Sequence, residues 1–138
     1  MLLLNSFFTI GDIAQQDEKT CVSVEINPQH PIFEGHFPGN PVVPGVCLIQ
    51  MIRETLETIL QKKFRLSKAD EIKFMNMVIP ALNPKLTLEI QSRPKSENPF
   101  AFSIIVSDGT IVFIKMKVDF EEMKNEKLKI FPCHQFCN

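Results

Sequence analysis

The stretch "FAFSIIVSDGTIVFIKMKVDF", residues 100–120, constrains the fold of this chain more than any other. Its two arms are rich in β-branched and aromatic residues and meet at Asp108-Gly109, a dipeptide that supplies the positive φ of a tight hairpin turn. In the second arm Val112, Ile114, Met116, Val118 and Phe120 alternate with Phe113, Lys115, Lys117 and Asp119. One face is therefore buried and the other mostly wet.

Three further segments carry strand patterns. In "CVSVEI", Val22, Val24 and Ile26 recur with a period of two, and the run stops at Asn27-Pro28. "EIKFMNMVI" reads as a strand ending at Pro80, and "KLTLEIQS" places Leu86, Leu88 and Ile90 on one face. Between Pro28 and Pro44 the chain carries Pro31, Pro38, Pro41, Gly35 and Gly39, which excludes helix or central strand and reads as an ordered loop.

A helix is expected to begin near Pro44, since proline suits the first turn, and to run to about Lys62 or Lys63. Leu48, Ile52, Thr55, Leu56 and Ile59 share one side, and Gln50, Glu54, Glu57 and Gln61 form a narrow polar stripe opposite. Val46, Cys47, Leu48, Ile49, Met51 and Ile52 make the first two turns apolar almost all round. That end is expected to be enclosed, with a sheet wrapped around the helix. The order is strand, loop, one long helix, then about four antiparallel strands, an α+β arrangement.

The chain of 138 residues is the size of one domain, read as a core over about 20–120 with a C-terminal extension over 121–138. A net charge of -1 and the absence of a long Lys/Arg run give no footprint for nucleic acid. The opening "MLLLNSFFTI" lacks a basic flank and a small-residue cleavage site, so it reads as structure rather than a signal peptide. No apolar run has the length of a membrane span. Cys21, Cys47, Cys133 and Cys137, scattered in such a chain, point to reduced thiols and a cytoplasmic setting.

The segment "HPIFEGHFPGNPVVPGV", residues 30–46, resembles the signature of the 3-hydroxyacyl-acyl carrier protein dehydratases, the FabZ-type family of the hotdog fold. "KFMNMVIPALNPKLTLEI" and the "SDGTIVF" hairpin are similar to that family in order and spacing, so the likeness covers roughly residues 20–120. The resemblance implies a dimer of two helices, each wrapped in sheet, with two sites at the subunit interface and no cofactor. It implies that His36 removes the α proton of an acyl thioester held on acyl carrier protein or coenzyme A. It assigns thioester polarisation to the Gly45 N–H, and substrate binding also to Val46 and Phe37. His30 is implied as a structural residue that pins the loop.

The chemistry of the residues fits. Elimination next to a thioester needs a base that titrates near neutrality, held in place, and a histidine between Gly35 and the Pro38-Gly39 pair meets both needs. A lone histidine is more often a packing residue; the complete motif is what singles out His36. The unpaired N–H groups of a helix start suit a developing enolate. Glu34, two positions from His36, reads as a solvated loop carboxylate.

One position departs from the family. Where it carries a glutamate or aspartate, on the helix of the partner subunit, this chain has Gln50, and an amide does not deliver a proton as a carboxylic acid does. The family's acid is followed one turn later by glutamine; here Gln50 is followed by Glu54, the same two types interchanged. Either Glu54 or a water held by Gln50 stands in for the acid, or the site binds acyl chains without dehydrating them. Three functions follow: a hydro-lyase of fatty-acid or related acyl-chain biosynthesis, an acyl-binding partner subunit of a dehydratase dimer, or a hotdog thioesterase. The dimer is homomeric, heteromeric or part of a larger assembly.

Lys62, Lys63, Arg65 and Lys68 form a candidate docking patch for an acidic carrier protein, or simply complement the helix end. Phe33, Phe37, Phe74 and Phe102 are candidates for an acyl tunnel, although a small core needs phenylalanine anyway. Cys133, His134 and Cys137 are types that bind zinc, but their spacing fits no ordinary finger, so no metal site is assigned.

Overall fold

The computed structural model describes residues 2–34 and 41–123. Among them the order is β1 (Phe8–Gln16), β2 (Lys19–Ile26), α1 (Gly45–Leu60), β3 (Phe64–Phe74), β4 (Lys85–Ser92), β5 (Ala101–Ser107) and β6 (Val112–Glu122). A short 3-10 turn, Pro31–Phe33, lies between β2 and α1. The six strands form one sheet in the order β1-β2-β4-β5-β6-β3, antiparallel throughout. Leu48, Met51, Ile52 and Leu56 of α1 share one apolar cluster with Val24, Leu88, Ile104 and Val118 of the sheet. One helix on one antiparallel sheet is the α+β arrangement expected.

The alternation of β6 is realised from Ile114 onward: Ile114, Met116, Val118 and Phe120 are buried and Lys115 and Lys117 exposed, but beside the turn Phe113 is buried and Val112 only half-buried. The sheet departs from expectation at its two edges. β1 was hidden because a bulge between Ile10 and Ile13 interrupts its period, and most of its side chains face water. β3 begins at Phe64 rather than Glu71 and ends at Phe74, leaving Met75–Ile79 outside any strand. Two bulges, at Leu66/Lys68 and Ala69/Glu71, break its alternation, and its charged side chains suit an open edge.

The helix has 16 residues and stops short of Lys62 and Lys63. Gln61 takes a left-handed φ of 56° and returns its N–H to the Glu57 carbonyl, which ends the helix. The Glu57 carboxylate then accepts from the N–H of Phe64 at 2.9 Å, and Arg53 donates to the Phe64 carbonyl at 3.3 Å. The turn from helix to β3 is thus held by two helix side chains. Enclosure of the first helical turns is incomplete within one chain, because Val46 is 70% exposed.

The hairpin turn spans residues 108–111. The Asp108 N–H reaches the Ile111 carbonyl at 3.1 Å, and Gly109 sits at φ +97°. The main-chain N–H groups of Ile111 and Thr110 donate to Asp108 Oδ1 at 2.7 and 2.9 Å, and they hold its carboxyl below the usual carboxylate range. This contribution to stability is complete above the unfolded aspartate value, ~3.9, and is lost as pH falls through the lower folded value. The gap in melting temperature between the wild type and Asp108→Ala should therefore be widest near neutrality and shrink on acidification below pH ~4. Gly109→Ala should lose about 1–2 kcal/mol in urea unfolding, through backbone strain, since the site around it is open.

Candidate functional site

Pro44, at φ −61° and ψ 142°, sets the chain up to enter α1 at Gly45. Its carbonyl takes the N–H groups of both Cys47 and Leu48, at 3.0 and 3.2 Å. The N–H groups of Gly45 and Val46 are left without a partner among the described residues. They lie at the positive end of the helix dipole. Gly45 borders an open apolar cavity of about 650 Å³, walled by Val42, Leu48, Phe74, Met75 and Met77. A Cβ on Gly45 would lie 2.8 Å from two ring atoms of Phe74, so the ring closes on the helix only over a glycine.

The far wall is tied to the sheet. Met75 N–H donates to the Phe113 carbonyl at 2.8 Å, and the Asn76 amide donates to the Val112 carbonyl at 2.8 Å. Val43 N–H donates to the Val78 carbonyl at 2.9 Å, which joins the segment before the helix to this wall. Burial pushes the thiol of Cys47, in the first helical turn, above its ordinary value, so it is no ready nucleophile.

Two turns further on, Glu54 is 2% exposed. Both of its carboxylate oxygens accept from the Leu3 N–H at 2.9 Å, and Oε1 also accepts from the Leu4 N–H at 2.8 Å. The Gln50 amide nitrogen donates to Oε2 at 2.7 Å. The expected solvated stripe is therefore interrupted: the N-terminal segment covers Glu54, anchored by Leu3 and Phe7 in the core. Among the described residues no buried side-chain nitrogen or oxygen lacks a hydrogen-bond partner.

Residues 12–128 match the family described as ApeI-like, ApeI dehydratase. The chain belongs to the ApeI-like dehydratase family. The FabZ-type resemblance of the loop and helix agrees with this. Over 79 residues the chain is 30% identical to the 3-hydroxyacyl-acyl-carrier-protein dehydratase FabZ of Caulobacter vibrioides, covering 51% of this chain and 47% of that one. Over 87 residues it is 31% identical to the FabZ of Ehrlichia chaffeensis, covering 59% and 60%. It thus spans about half the length of these curated relatives. A chain of the dehydratase heterocomplex ApeI:P from Xenorhabdus doucetiae superposes with a TM-score of 0.64 at 20% identity, over 80% of this chain and 95% of that one. At that identity the likeness concerns the fold, which is the hotdog fold. No helix among the described residues is long and apolar enough to cross a membrane.

In this ApeI-like chain the residues singled out from sequence fall into separate groups. His36 and Phe37 lie outside the described residues, as do Cys133, His134 and Cys137. His30 accepts the Ile32 N–H on Nδ1 at 3.1 Å and meets the Phe7 ring edge-on, a structural role. Glu34 is exposed. Gly45 lies at the apolar cavity, whereas Val46 and Gln50 line a different groove with Ile49, Arg53 and Leu66. Of the phenylalanines, Phe74 lines the cavity and Phe33 and Phe102 are core residues.

The basic patch is largely neutralised by carboxylates of β6 and of β3 itself. Arg65 pairs with Glu121, Lys62 with Glu122 at 3.5 Å, and Lys68 with Asp70 at 3.4 Å. Sequence reading missed the main chain of Leu3 and Leu4, which leaves no trace in side-chain identity. It also missed Met75 and Met77 as cavity lining, because they read as the end of a strand.

Glu54→Ala strands two main-chain donors inside the protein. It should lower stability by ~1–3 kcal/mol in urea unfolding, and open residues 2–8 to limited proteolysis.

Proposed function

We propose that this chain acts in the cytoplasm as a dehydratase of 3-hydroxyacyl thioesters, carried on acyl carrier protein or coenzyme A, in fatty-acid or related acyl-chain biosynthesis. The observation that carries this reading is the Gly45 N–H, unpartnered among the described residues, at the head of a helix beside an apolar cavity. Removing the α proton places negative charge on the thioester oxygen, and a fixed N–H donor stabilises that charge. His36 is the base, with Phe37 and Val46 beside the acyl group. The proton it takes reaches the departing hydroxyl directly or through a water held by Gln50, since the amide itself donates no proton to a leaving group.

Gly45 and Gln50 line different cavities of one chain, so a site using both draws on two chains. The proposed unit is therefore a dimer. A second reading has one observation in its favour: Gln50 is an amide, and the Glu54 carboxylate is engaged by Leu3, Leu4 and Gln50. In that reading the chain is an acyl-binding partner of a homologous subunit that supplies the acid. The structural relative from Xenorhabdus doucetiae comes from a heterocomplex.

The first test follows enoyl absorbance with 3-hydroxyacyl and trans-2-enoyl thioesters on acyl carrier protein, beside His36→Ala. Interconversion that vanishes in the variant supports the dehydratase. A flat trace with a folded, ligand-binding dimer supports the partner subunit, and release of free thiol would instead mean hydrolysis.

A second test isolates the amide. Proline is well accepted at the first position of a helix and removes only the N–H. Gly45→Pro and Gly45→Ala both meet the Phe74 ring. Relative to Gly45→Ala, Gly45→Pro should lower kcat a further ~10²–10³-fold, the cost of losing one such donor.

A further inference from the structure

Phe74 is 54% exposed and lies outside the apolar core cluster, so core packing does not account for its place. Its backbone is fixed all the same. Phe74 pairs with Ile114 at the end of β3, and the next residue, Met75, donates its N–H to the Phe113 carbonyl at 2.8 Å. What the ring meets is the head of α1: a Cβ built on Gly45 would lie 2.8 Å from ring atoms Cε1 and Cζ and 3.6 Å from Cδ1. In a helix the Cα–Cβ bond tilts toward the N-terminus. The ring therefore sits on the N-terminal side of Gly45, the side toward which the free N–H groups of the first turn point.

Gly45 is itself half-buried, and its N–H has no hydrogen-bond partner among the described residues. An N–H held away from both water and a partner is costly to the fold, and an incoming carbonyl oxygen removes that cost. Water at the same place would compete for the donor. A donor kept dry also acts more strongly on developing negative charge, because nothing around it screens the interaction.

We propose that Phe74 is a positioning residue: its ring shields the Gly45 N–H from water and so keeps that donor available to the thioester oxygen of the ligand. The identity of the ligand rests on the reading of the site as an acyl-thioester site; the shield does not. A ring that merely walls the acyl chain would bind ground state and transition state alike, so its loss would raise KM and leave kcat unchanged. A shield acts on the charged state, and its loss lowers kcat.

The first measurement is the solvent exchange of the Gly45 amide by NMR, in full-length protein labelled with the heavy nitrogen isotope in glycine only. The chain has five glycines, and Gly45 is assigned by its loss in Gly45→Ala. In the wild type this unbonded amide should exchange at least about tenfold more slowly than an unbonded amide open to solvent. Phe74→Ala should abolish that protection, and Phe74→Leu, which restores apolar bulk, should keep part of it. An unprotected wild-type amide, or equal protection in the wild type and Phe74→Ala, overturns the proposal.

The second measurement is steady-state turnover of a 3-hydroxyacyl thioester on acyl carrier protein. Phe74→Ala should lower kcat about tenfold, a part of the ~10²–10³-fold cost of losing such a donor outright, and Phe74→Leu should recover most of it. A raised KM with kcat intact overturns the proposal. If the chain binds thioesters without turning them over, the exchange rates alone decide. If it binds none, the acyl-thioester reading fails and takes the ligand of this inference with it, while the exchange rates still decide the shield.

Discussion

The Glu54 carboxylate accepts hydrogen bonds from the main chain of Leu3 and Leu4 and from the side chain of Gln50, and it does so while almost fully buried. Burying a carboxylate costs several kcal/mol unless donors surround it. The N-terminal segment, the helix and the Gln50 amide are consequently one unit. Removing the segment would strand a charge, and removing the charge would strand two N–H groups. The same segment brings Leu3 and Phe7 into the core, where Phe7 packs against His30 at the foot of the proline-rich loop. One carboxylate thus connects the helix to the loop that precedes it.

The head of the helix depends on a different contact. Gly45 lets the Phe74 ring approach, and Phe74 ends β3, where the chain leaves the sheet edge to form the cavity wall. Hydrogen bonds from Met75 and Asn76 to the start of β6 fix that wall, so the cavity borrows its rigidity from the sheet. The walls are apolar and the helix head contributes oriented N–H groups. That combination suits an acyl chain joined to a polar carbonyl.

Much of this was legible in the sequence because the period was intact. β4 coincides with "KLTLEIQS", and the β5–β6 hairpin turns at Gly109 and follows its alternation away from the turn, with a register shift only beside it, at Val106/Ser107. The edges were not legible: bulges in β1 and β3 shift the side-chain faces mid-strand, and an edge has only one partner to enforce the pattern. At the site, Gly45 and Gln50 stood out through the motif and its departure. The burial of Glu54 did not, because its partners are main-chain groups some 50 residues away, and helical spacing alone puts it on a polar stripe. Gln61 hid the helix end for a related reason, since a left-handed cap is usually glycine.

The order of the two polar residues on α1 decides where the negative charge sits. With glutamate at 54 the charge lies under the N-terminal segment, among donors, and the groove lined by Val46, Ile49 and Gln50 carries an amide instead. The opposite order would preserve a hydrogen bond between the two side chains but move the charge into that groove. In the proposed dimer, a groove covered by a second chain is easier to desolvate with an amide than with a carboxylate. The interchange therefore favours a covered surface at the expense of a proton donor. In the proposed dehydratase the proton would return from the base side of the site, or a subunit in which the order is reversed would share the work.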